Sequence, residues 1–252
     1  MKAWYWKFTM KAEHRASPID FSTRSLGVEI MDDLECKGEV VDQTLRELDF
    51  INQWLGGNEV TIAAIKSCWK KIPVDQSISI ADLGCGSGEM LRMIARLAKK
   101  ENRQVVLTGF DANPHIVAYA SNHSKGFKNI SFSATNIFSQ DFQQQRFDFV
   151  LATLFTHHFT EEELVLLLQN LKEQTTTAII INDIHRHSLA YYSIMFLTLL
   201  FSKSAMVRFD APLSVLRAFK KSELEIILKR TGLTNYSLTW KWAFRWRLII
   251  LP

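Results

Sequence analysis

The acids best placed to do chemistry stand around a cluster of glycines. Asp82 precedes the run Gly84-Cys85-Gly86-Ser87-Gly88, Glu89 follows it directly, and Asp111 lies 23 residues beyond Gly88. Glycines at alternate positions make a tight turn whose backbone comes within reach of a bound molecule. A turn built for a diphosphate carries the third glycine of the GxGxxG pattern and leaves backbone N–H groups facing negative charge. Here that third position is Glu89. Carboxylates before and after the bend repel phosphate and favour a ligand that carries positive charge. Two further stretches bring imidazoles: Thr156-His157-His158-Phe159 and Asn182-Asp183-Ile184-His185-Arg186-His187. An imidazole with its ordinary pKa of about 6.5 can take the proton of a phenolic or enolic hydroxyl. His157, His158 and His185 are therefore candidate bases, and Asp183 could orient one of them.

The elements that must hold these groups can be read from the flanking pattern. Ile78 to Leu83 is a short apolar run that stops at Gly84, which predicts a strand. From Glu89, the residues Met90, Leu91, Met93, Ile94 and Leu97 recur at helical spacing, with Arg96, Lys99 and Lys100 toward the end where cations suit the helix dipole. A second apolar run, Val105 to Phe110, ends in Asp111. Strand, glycine turn, helix, strand and acid make the βαβ unit that binds a nucleoside at the carboxyl edge of a parallel sheet. A nucleoside that carries a sulfonium and an ammonium and no phosphate is S-adenosylmethionine. The stretch DLGCGSGE resembles the first motif of the class I S-adenosylmethionine-dependent methyltransferases.

That resemblance implies a Rossmann-like α/β three-layer sandwich with a seven-stranded, mostly parallel sheet. It implies S-adenosyl-L-methionine as cofactor and S-adenosyl-L-homocysteine as product. Asp111 takes the place of the acid that accepts both ribose hydroxyls. Asn136 stands where the family commonly has an acid for the adenine amino group, and its amide oxygen can accept the same hydrogen bond. Ile137 would then lie against the ring. The expected cofactor residues are Asp82, Gly84, Cys85, Gly86, Gly88, Asp111, Ala112, Asn136, Ile137 and Thr153.

Around this unit the chain reads as α/β throughout. Residues 39–55 and 60–72 are amphipathic helices separated by Gly56-Gly57, and Asn113-Pro114 opens another helix through about Asn122. Residues 129–134, 147–153 and 177–181 read as strands. Thr160 is the expected N-cap of a helix over 161–171. Leu189 to Phe201 predicts an apolar helix, hydrophobic all round and hence buried as core or as the wall of a pocket for a flat lipophilic acceptor. Arg208 to Ala218 reads as irregular with a short helix, and Ser222 to Arg230 as a helix stopped by Gly232. Leu233 to Trp240 and Trp242 to Leu251 read as the closing antiparallel pair, and its Trp and Arg side chains fit an ordinary strand better than base stacking. Residues 1–37 are expected to be a flexible arm or a lid, in which Phe21, Leu26 and Met31 close over a ligand. Residues 38–252 are expected to form one methyltransferase domain, with an acceptor-shaping insertion at about 184–221; the expected substrate residues are Asp183, just before it, and Arg186, Tyr191, Tyr192 and Met195 within it.

Composition narrows the partners. Of 252 residues 47% are apolar and 22% charged, as in a globular domain, and the net charge of +4 is scattered, which gives no ground for a nucleic-acid partner. Cys36, Cys68 and Cys85 form no CxxC pair, and the histidines lack HExxH spacing, so a reducing compartment and no metal are expected. The N-terminal aromatic stretch is broken by Lys7 and Lys11 and does not read as a signal peptide. The apolar run from Leu189 is short of the roughly 18 to 20 residues that span a bilayer. A cytoplasmic monomer or homodimer without a transmembrane segment follows, with a peripheral membrane contact left open. The layout HH, NDIHRHSLAYY and LSVLRAFKKSELE also resembles small-molecule methyltransferases of bacterial polyketide pathways and, loosely, the ubiquinone and menaquinone methyltransferases. This implies methyl transfer to a hydroxyl of a hydrophobic, aromatic or polyketide-type small molecule. The alternatives are C-methylation of a quinone-like ring and a non-catalytic S-adenosylmethionine-binding protein.

Overall fold

In the computed structural model, which describes residues 19–252, the strand before the glycine turn is β1 (Ile78–Leu83). It pairs in parallel with β2 (Val105–Asp111) on one side and β4 (Phe147–Thr153) on the other. With β3 (Ile130–Ala134), β5 (Thr175–Ile184), β6 (Tyr236–Lys241) and β7 (Arg245–Ile250), the sheet runs β3-β2-β1-β4-β5-β7-β6, and β7 alone runs opposite to the other six strands. Strands buried on both faces read as apolar runs, which is why β1, β4 and the middle of β5, Ala178 to Ile181, are mostly apolar. Because β1 lies between β2 and β4, the crossovers diverge there and leave a crevice at the carboxyl ends of these strands.

Helices cover both faces. On one, α2 (Gly57–Trp69) and α3 (Glu89–Lys100) bring Ile65, Trp69, Leu91 and Ile94 against Ile80, Phe149 and Ile180. On the other, α5 (Gln140–Gln143), α6 (Glu161–Gln174) and α9 (Lys221–Thr231) bring Phe142, Leu168, Ile227 and Leu228 against Val150, Ile179 and Ile181. This is the three-layer, Rossmann-like sandwich expected. Local signals behave as their chemistry dictates. Thr160 and Glu163 form a capping box on α6, the Asn113 side chain accepts from His115 N at 2.8 Å at the start of α4 (Pro114–His123), and Gly232 ends α9 in the left-handed region.

Two elements differ from the sequence reading. The segment read as irregular is a helix, α8 (Ala205–Arg217), with Pro212 inside it. A proline normally breaks a helix interior, but Met206, Val207, Pro212 and Val215 are all buried, and that packing offsets the lost bond. Of the two readings of residues 189–201, buried core fails, whereas one stripe of the helix does line the crevice. In α7 (Ser188–Phe201) only Ala190 and Thr198 are buried, and Phe201 is 73% exposed. Among the described residues no helix is long and apolar enough to cross a membrane.

The described part of the N-terminal segment, residues 19–37, forms a strap. It holds a single 3-10 turn at Ile30–Asp32 and runs along α8, where the Asp210 carboxylate accepts from Ile30 N at 2.8 Å and Met31 N at 3.1 Å. Ser25 N donates to Leu216 O at 3.0 Å and Arg24 Nε to Arg217 O at 2.6 Å. Leu26 is 91% exposed and Phe21 packs edge-on to Tyr191 and Tyr192, so neither closes over the crevice as expected, whereas Met31, the third residue of that expectation, does line it. The first 18 residues of the expected arm, with the Lys7 and Lys11 argument, lie outside the described residues.

Candidate functional site

The crevice opens into a cavity of about 770 Å³, within the usual range of small-molecule sites. One end is built by the glycine turn. Gly84 has φ of +64°, and a Cβ there would lie 2.2 Å from the Phe155 ring, so only glycine fits. Gly86 N donates to Asp111 Oδ2 at 3.3 Å and Cys85 N to Phe110 O at 3.0 Å, which folds the turn back over the end of β2. Ser87 donates to Asp49 of α1 (Glu39–Trp54) at 2.7 Å, and Asn58 holds Glu89 at 3.1 Å.

Negative charge is concentrated here. Burial, and then the charge of Asp111, pushes the Asp82 carboxyl up to about 7. Burial likewise raises Asp111 and takes Asp49 up to about 6, and it raises the Cys85 thiol, which both Asp82 and Asp111 push further. Among the described residues no lysine or arginine forms an ion pair with Asp82, Glu89 or Asp111. Such a turn is strained electrostatically until a cation enters, which a sulfonium and an ammonium supply and a diphosphate does not. Ala112, Asn136, Ile137 and Thr153 line the same end; Asn136 Oδ1 accepts from Phe138 N at 2.9 Å, and Thr153 Oγ1 meets Thr61 Oγ1 at 3.0 Å. Gly88 does not line the cavity: a Cβ there would meet the Phe132 ring at 2.6 Å, so it is a packing glycine.

The other end is built by the turn after β4 and by the strap. Asp183, at the end of β5, accepts from Thr156 Oγ1 at 2.5 Å, His157 N at 2.9 Å and His157 Nδ1 at 2.7 Å. Burial alone would raise this carboxyl, but the His157 ring and the Thr156 hydroxyl hold it well below the usual range. An ionised carboxylate only accepts, so Nδ1 carries the proton and His157 presents Nε2. His158 Nδ1 meets Asp32 of the strap at 2.6 Å in the same arrangement. Asp32 is held well below the usual range, against burial, by hydrogen bonds from His158 and Arg217. Glu29 Oε1 lies 3.7 Å from His157 Nε2, and burial pushes this carboxyl up to about 7. Arg217 pairs with Asp32 and lies 3.6 Å from Glu29, while Arg24 donates to His157 O at 3.0 Å and Phe159 O at 2.9 Å.

His157 and His158 thus line the cavity, and Asp183 acts behind His157 without lining it. His185 belongs elsewhere. The parallel bridge to Phe219 and the bond from its N–H to Phe244 O at 2.8 Å turn it toward Trp246, and burial, then His187, Lys220 and Arg186, pushes it down to about 4. Arg186 is 1% exposed, pairs with Glu223 and donates to Phe21 O and Ser22 O at 3.1 Å, so it clamps the strap to α9 and is closed to substrate. Tyr191, Tyr192 and Met195 face away from the cavity. The residues of α7 that line it are Ala190, Ser193, Ile194 and Leu197, the opposite stripe of the same helix. Sequence reasoning missed Glu29, Asp32, Arg24 and Arg217, whose only signal was the density of charge in 24–35 and at the end of α8. It also missed Arg245, which lines the cavity, donates to Asn52 at 2.9 Å and keeps Nη1 without a partner among the described residues.

Comparison with known proteins agrees with this geometry. The chain is similar to the plantazolicin methyltransferase BpumL in complex with a pentazolic desmethylPZN analog and SAH, at 18% identity over 84% of this chain and 89% of that one, with a TM-score of 0.60. It is similar to the CurJ carbon methyltransferase at 15% identity and a TM-score of 0.58, over 77% of this chain and only 53% of that one. A protein assigned as an O-methyltransferase from Nostoc punctiforme shares 15% identity over 79% of this chain and 57% of that one, with a TM-score of 0.55. These likenesses show the fold. No curated protein matches the sequence. The profile described as a methyltransferase domain matches residues 75–222, the stretch that runs from the glycine turn through both histidine turns; this chain belongs to that family, the S-adenosylmethionine-dependent class I methyltransferases.

Proposed function

We propose that the protein transfers the methyl group of S-adenosylmethionine to a hydroxyl of a hydrophobic, aromatic or polyketide-type small molecule bound at the histidine end of the cavity. The observation that carries this reading is one cavity with two chemically different ends: unpaired carboxylates at the glycine turn, and two imidazoles with Nε2 free at the other. When bound, the cofactor supplies an electrophilic methyl carbon on a sulfonium. Asp82 and Asp111 balance the cofactor's positive charge, and Asp111 with Asn136 would hold ribose and adenine. Ile137 lines the same end and would lie against the ring.

The acceptor enters between Ile194 and Leu197 of α7 and Val207 and Val215 of α8, so the segment between β5 and α9 shapes the pocket. The Arg245 guanidinium, with one unpartnered nitrogen, suits an acceptor oxygen. His158, whose side chain is 24% exposed against 3% for His157, takes the proton from the acceptor hydroxyl at Nε2. Asp32 fixes the tautomer of His158. A direct displacement needs mainly that nucleophile, methyl carbon and sulfur be held in line, and placing both ends in one cavity would serve that. Three free cysteines in separate elements suit a reducing, cytoplasmic setting.

The test is direct. Calorimetric titration is expected to show one S-adenosylmethionine per chain and no heat with NADH, and S-adenosylhomocysteine is expected to form with phenols or enols drawn from a hydrophobic panel. Heat with NADH alone overturns the cofactor half of the reading. A product methylated on carbon, located by NMR, overturns the hydroxyl half.

A further inference from the structure

We propose that Glu29, His157 and His158 form a binding site for a first-row transition-metal dication. For what the ion would do, the inference rests on the acceptor reading above; for its binding it does not. One ligand atom from each of these residues lies within 4.8 Å of the other two. Both imidazoles have Nδ1 committed to a carboxylate, Asp183 at 2.7 Å and Asp32 at 2.6 Å, so each offers an Nε2 lone pair. Metal-ligating histidines characteristically hand their other N–H to a carboxylate, which fixes the ring and raises its basicity. Here two adjacent histidines do so.

The third ligand is Glu29, 4% exposed, whose Oε1 has no hydrogen-bond partner among the described residues although it lies 3.7 Å from His157 Nε2. Arg217 Nη1, 3.6 Å from the same oxygen, is too far to donate to it, so the nitrogen lone pair and the carboxylate oxygen face each other without a hydrogen bond, which is costly when buried. A positive centre between them removes that cost, and one that also reaches His158 Nε2 satisfies all three atoms. The surrounding charge agrees. Glu29, Asp32, Asp183 and Asp210 stand against the guanidiniums of Arg24 and Arg217, which leaves room for an ion of charge +2.

Two imidazole nitrogens and one carboxylate suit Zn²⁺, Co²⁺, Ni²⁺ or Fe²⁺, and match poorly the all-oxygen shells that Mg²⁺ and Ca²⁺ take. Three protein ligands leave open positions, and all three residues line the cavity. An acceptor oxygen bound at such a position would lose its proton more readily, and the proton would leave to water in the cavity; the ion would then stand in for His158 as the base proposed above, because the one Nε2 lone pair cannot both hold a metal and take a proton. The ligands come from the strap and from a turn more than a hundred residues later in the chain, which is why no local motif announces them.

The experiment uses the full chain, tag removed and stripped with chelator, titrated with ZnCl₂ by calorimetry and with CoCl₂ by visible absorption. One Zn²⁺ per chain is expected with Kd below about 1 µM, together with a Co²⁺ ligand-field band. Glu29→Gln and His158→Ala are each expected to weaken binding at least tenfold, and Asp32→Asn, which changes no ligand atom but weakens the contacts of Asp32 with His158 and Arg217, by about 10- to 100-fold. Absence of stoichiometric zinc, or binding unchanged in all three variants, overturns the site. If the variants do not fold, zinc-edge X-ray absorption on the unaltered protein decides: two imidazoles and oxygen support the site, sulfur ligation overturns it. S-adenosylmethionine is titrated on the same samples. Cofactor binding without zinc binding sinks only the metal inference, and zinc binding without cofactor binding sinks only the methyltransferase reading.

Discussion

The two ends of the cavity are built by opposite strategies. At the glycine turn the glycines and the acids Asp82, Glu89 and Asp111 come from a single βαβ unit, residues 78–111, and its geometry is set by backbone conformation: left-handed glycines, a strand end, a helix start. At the histidine end, the groups come from the strap, the turn after β4, the end of β5 and α8, and they are held by side-chain hydrogen bonds across 26 positions for Asp183 to His157 and 126 for Asp32 to His158. The first end is fixed by steric rules that any homologous turn must obey. The second is fixed by a network of buried charge, each member of which depends on the others. It follows that the two ends should fail differently when altered.

The largest effect is expected at Asp183. Its carboxylate accepts from Thr156, His157 twice and Ile184 N, all buried or nearly so. Asp183→Ala leaves those donors without partners and is expected to cost about 3–5 kcal/mol, lowering Tm by roughly 10 °C in a thermal melt. A loss under about 1 kcal/mol would mean that water replaces the carboxylate and that the histidine end is not a closed network. Next is Gly84→Ala. The positive φ costs about 1–2 kcal/mol and the clash with Phe155 about 1–3 more, and cofactor affinity is expected to fall with stability. Gly86→Ala is the matched control. Its φ is +51°, but the nearest atom to a new Cβ is Leu45 Cδ2 at 3.9 Å, so only the conformational cost of about 1–2 kcal/mol is expected. Equal losses at the two glycines would show that the turn is set by conformation alone.

Asp32→Asn separates the ends. The ion pair with Arg217 and the bond to His158 are weakened while the glycine turn is untouched, so turnover measured as S-adenosylhomocysteine formation is expected to fall about 10- to 100-fold with cofactor affinity unchanged. Asp32→Glu, which keeps the charge, is expected to recover part of the rate. A parallel fall in cofactor affinity would show that the two ends are coupled through the strap.

The same contrast explains what could be read from the sequence. DLGCGSGE and Asp111 announce the cofactor end because local spacing fixes local geometry, and the seven-stranded sheet is what the family resemblance carried by that motif implies. The histidine end was half visible. His157, His158 and Asp183 follow strands and so fall at the carboxyl edge, but Glu29 and Asp32 reach them only through tertiary packing. His185 and Arg186 follow a strand too, yet the antiparallel β7 alongside β5 and the contact with Phe219 turn them away from the cavity. The apolar composition of α7 predicted burial, and composition cannot tell which stripe of a uniformly apolar helix meets the cavity. Ile194 and Leu197 do, and Tyr191, Tyr192 and Met195 do not.

The smallest effect sharpens the comparison most cheaply, because it reads the cofactor end by titration. Asp82 ordinarily titrates at 3.8 and is raised to about 7, first by burial and then by Asp111. A carboxyl raised on folding contributes stability that is fully present below its unfolded pKa and is lost as pH rises through the folded value. The ligand-free protein should therefore lose stability between about pH 4 and pH 7 on account of this group. A cationic ligand acts in reverse: it favours the ionised carboxylate, lowers its pKa and displaces a proton on binding. Affinity for S-adenosylmethionine is then expected to rise about tenfold between pH 6 and pH 8 and to level off above, with proton release detectable as a dependence of calorimetric heat on buffer. Asp82→Asn should flatten that slope while leaving His157 and His158 untouched. A slope that survives the substitution would place the titrating carboxyl at Asp111 or Asp49, still within the glycine end, whereas affinity that falls with rising pH would mean that the turn prefers an anion.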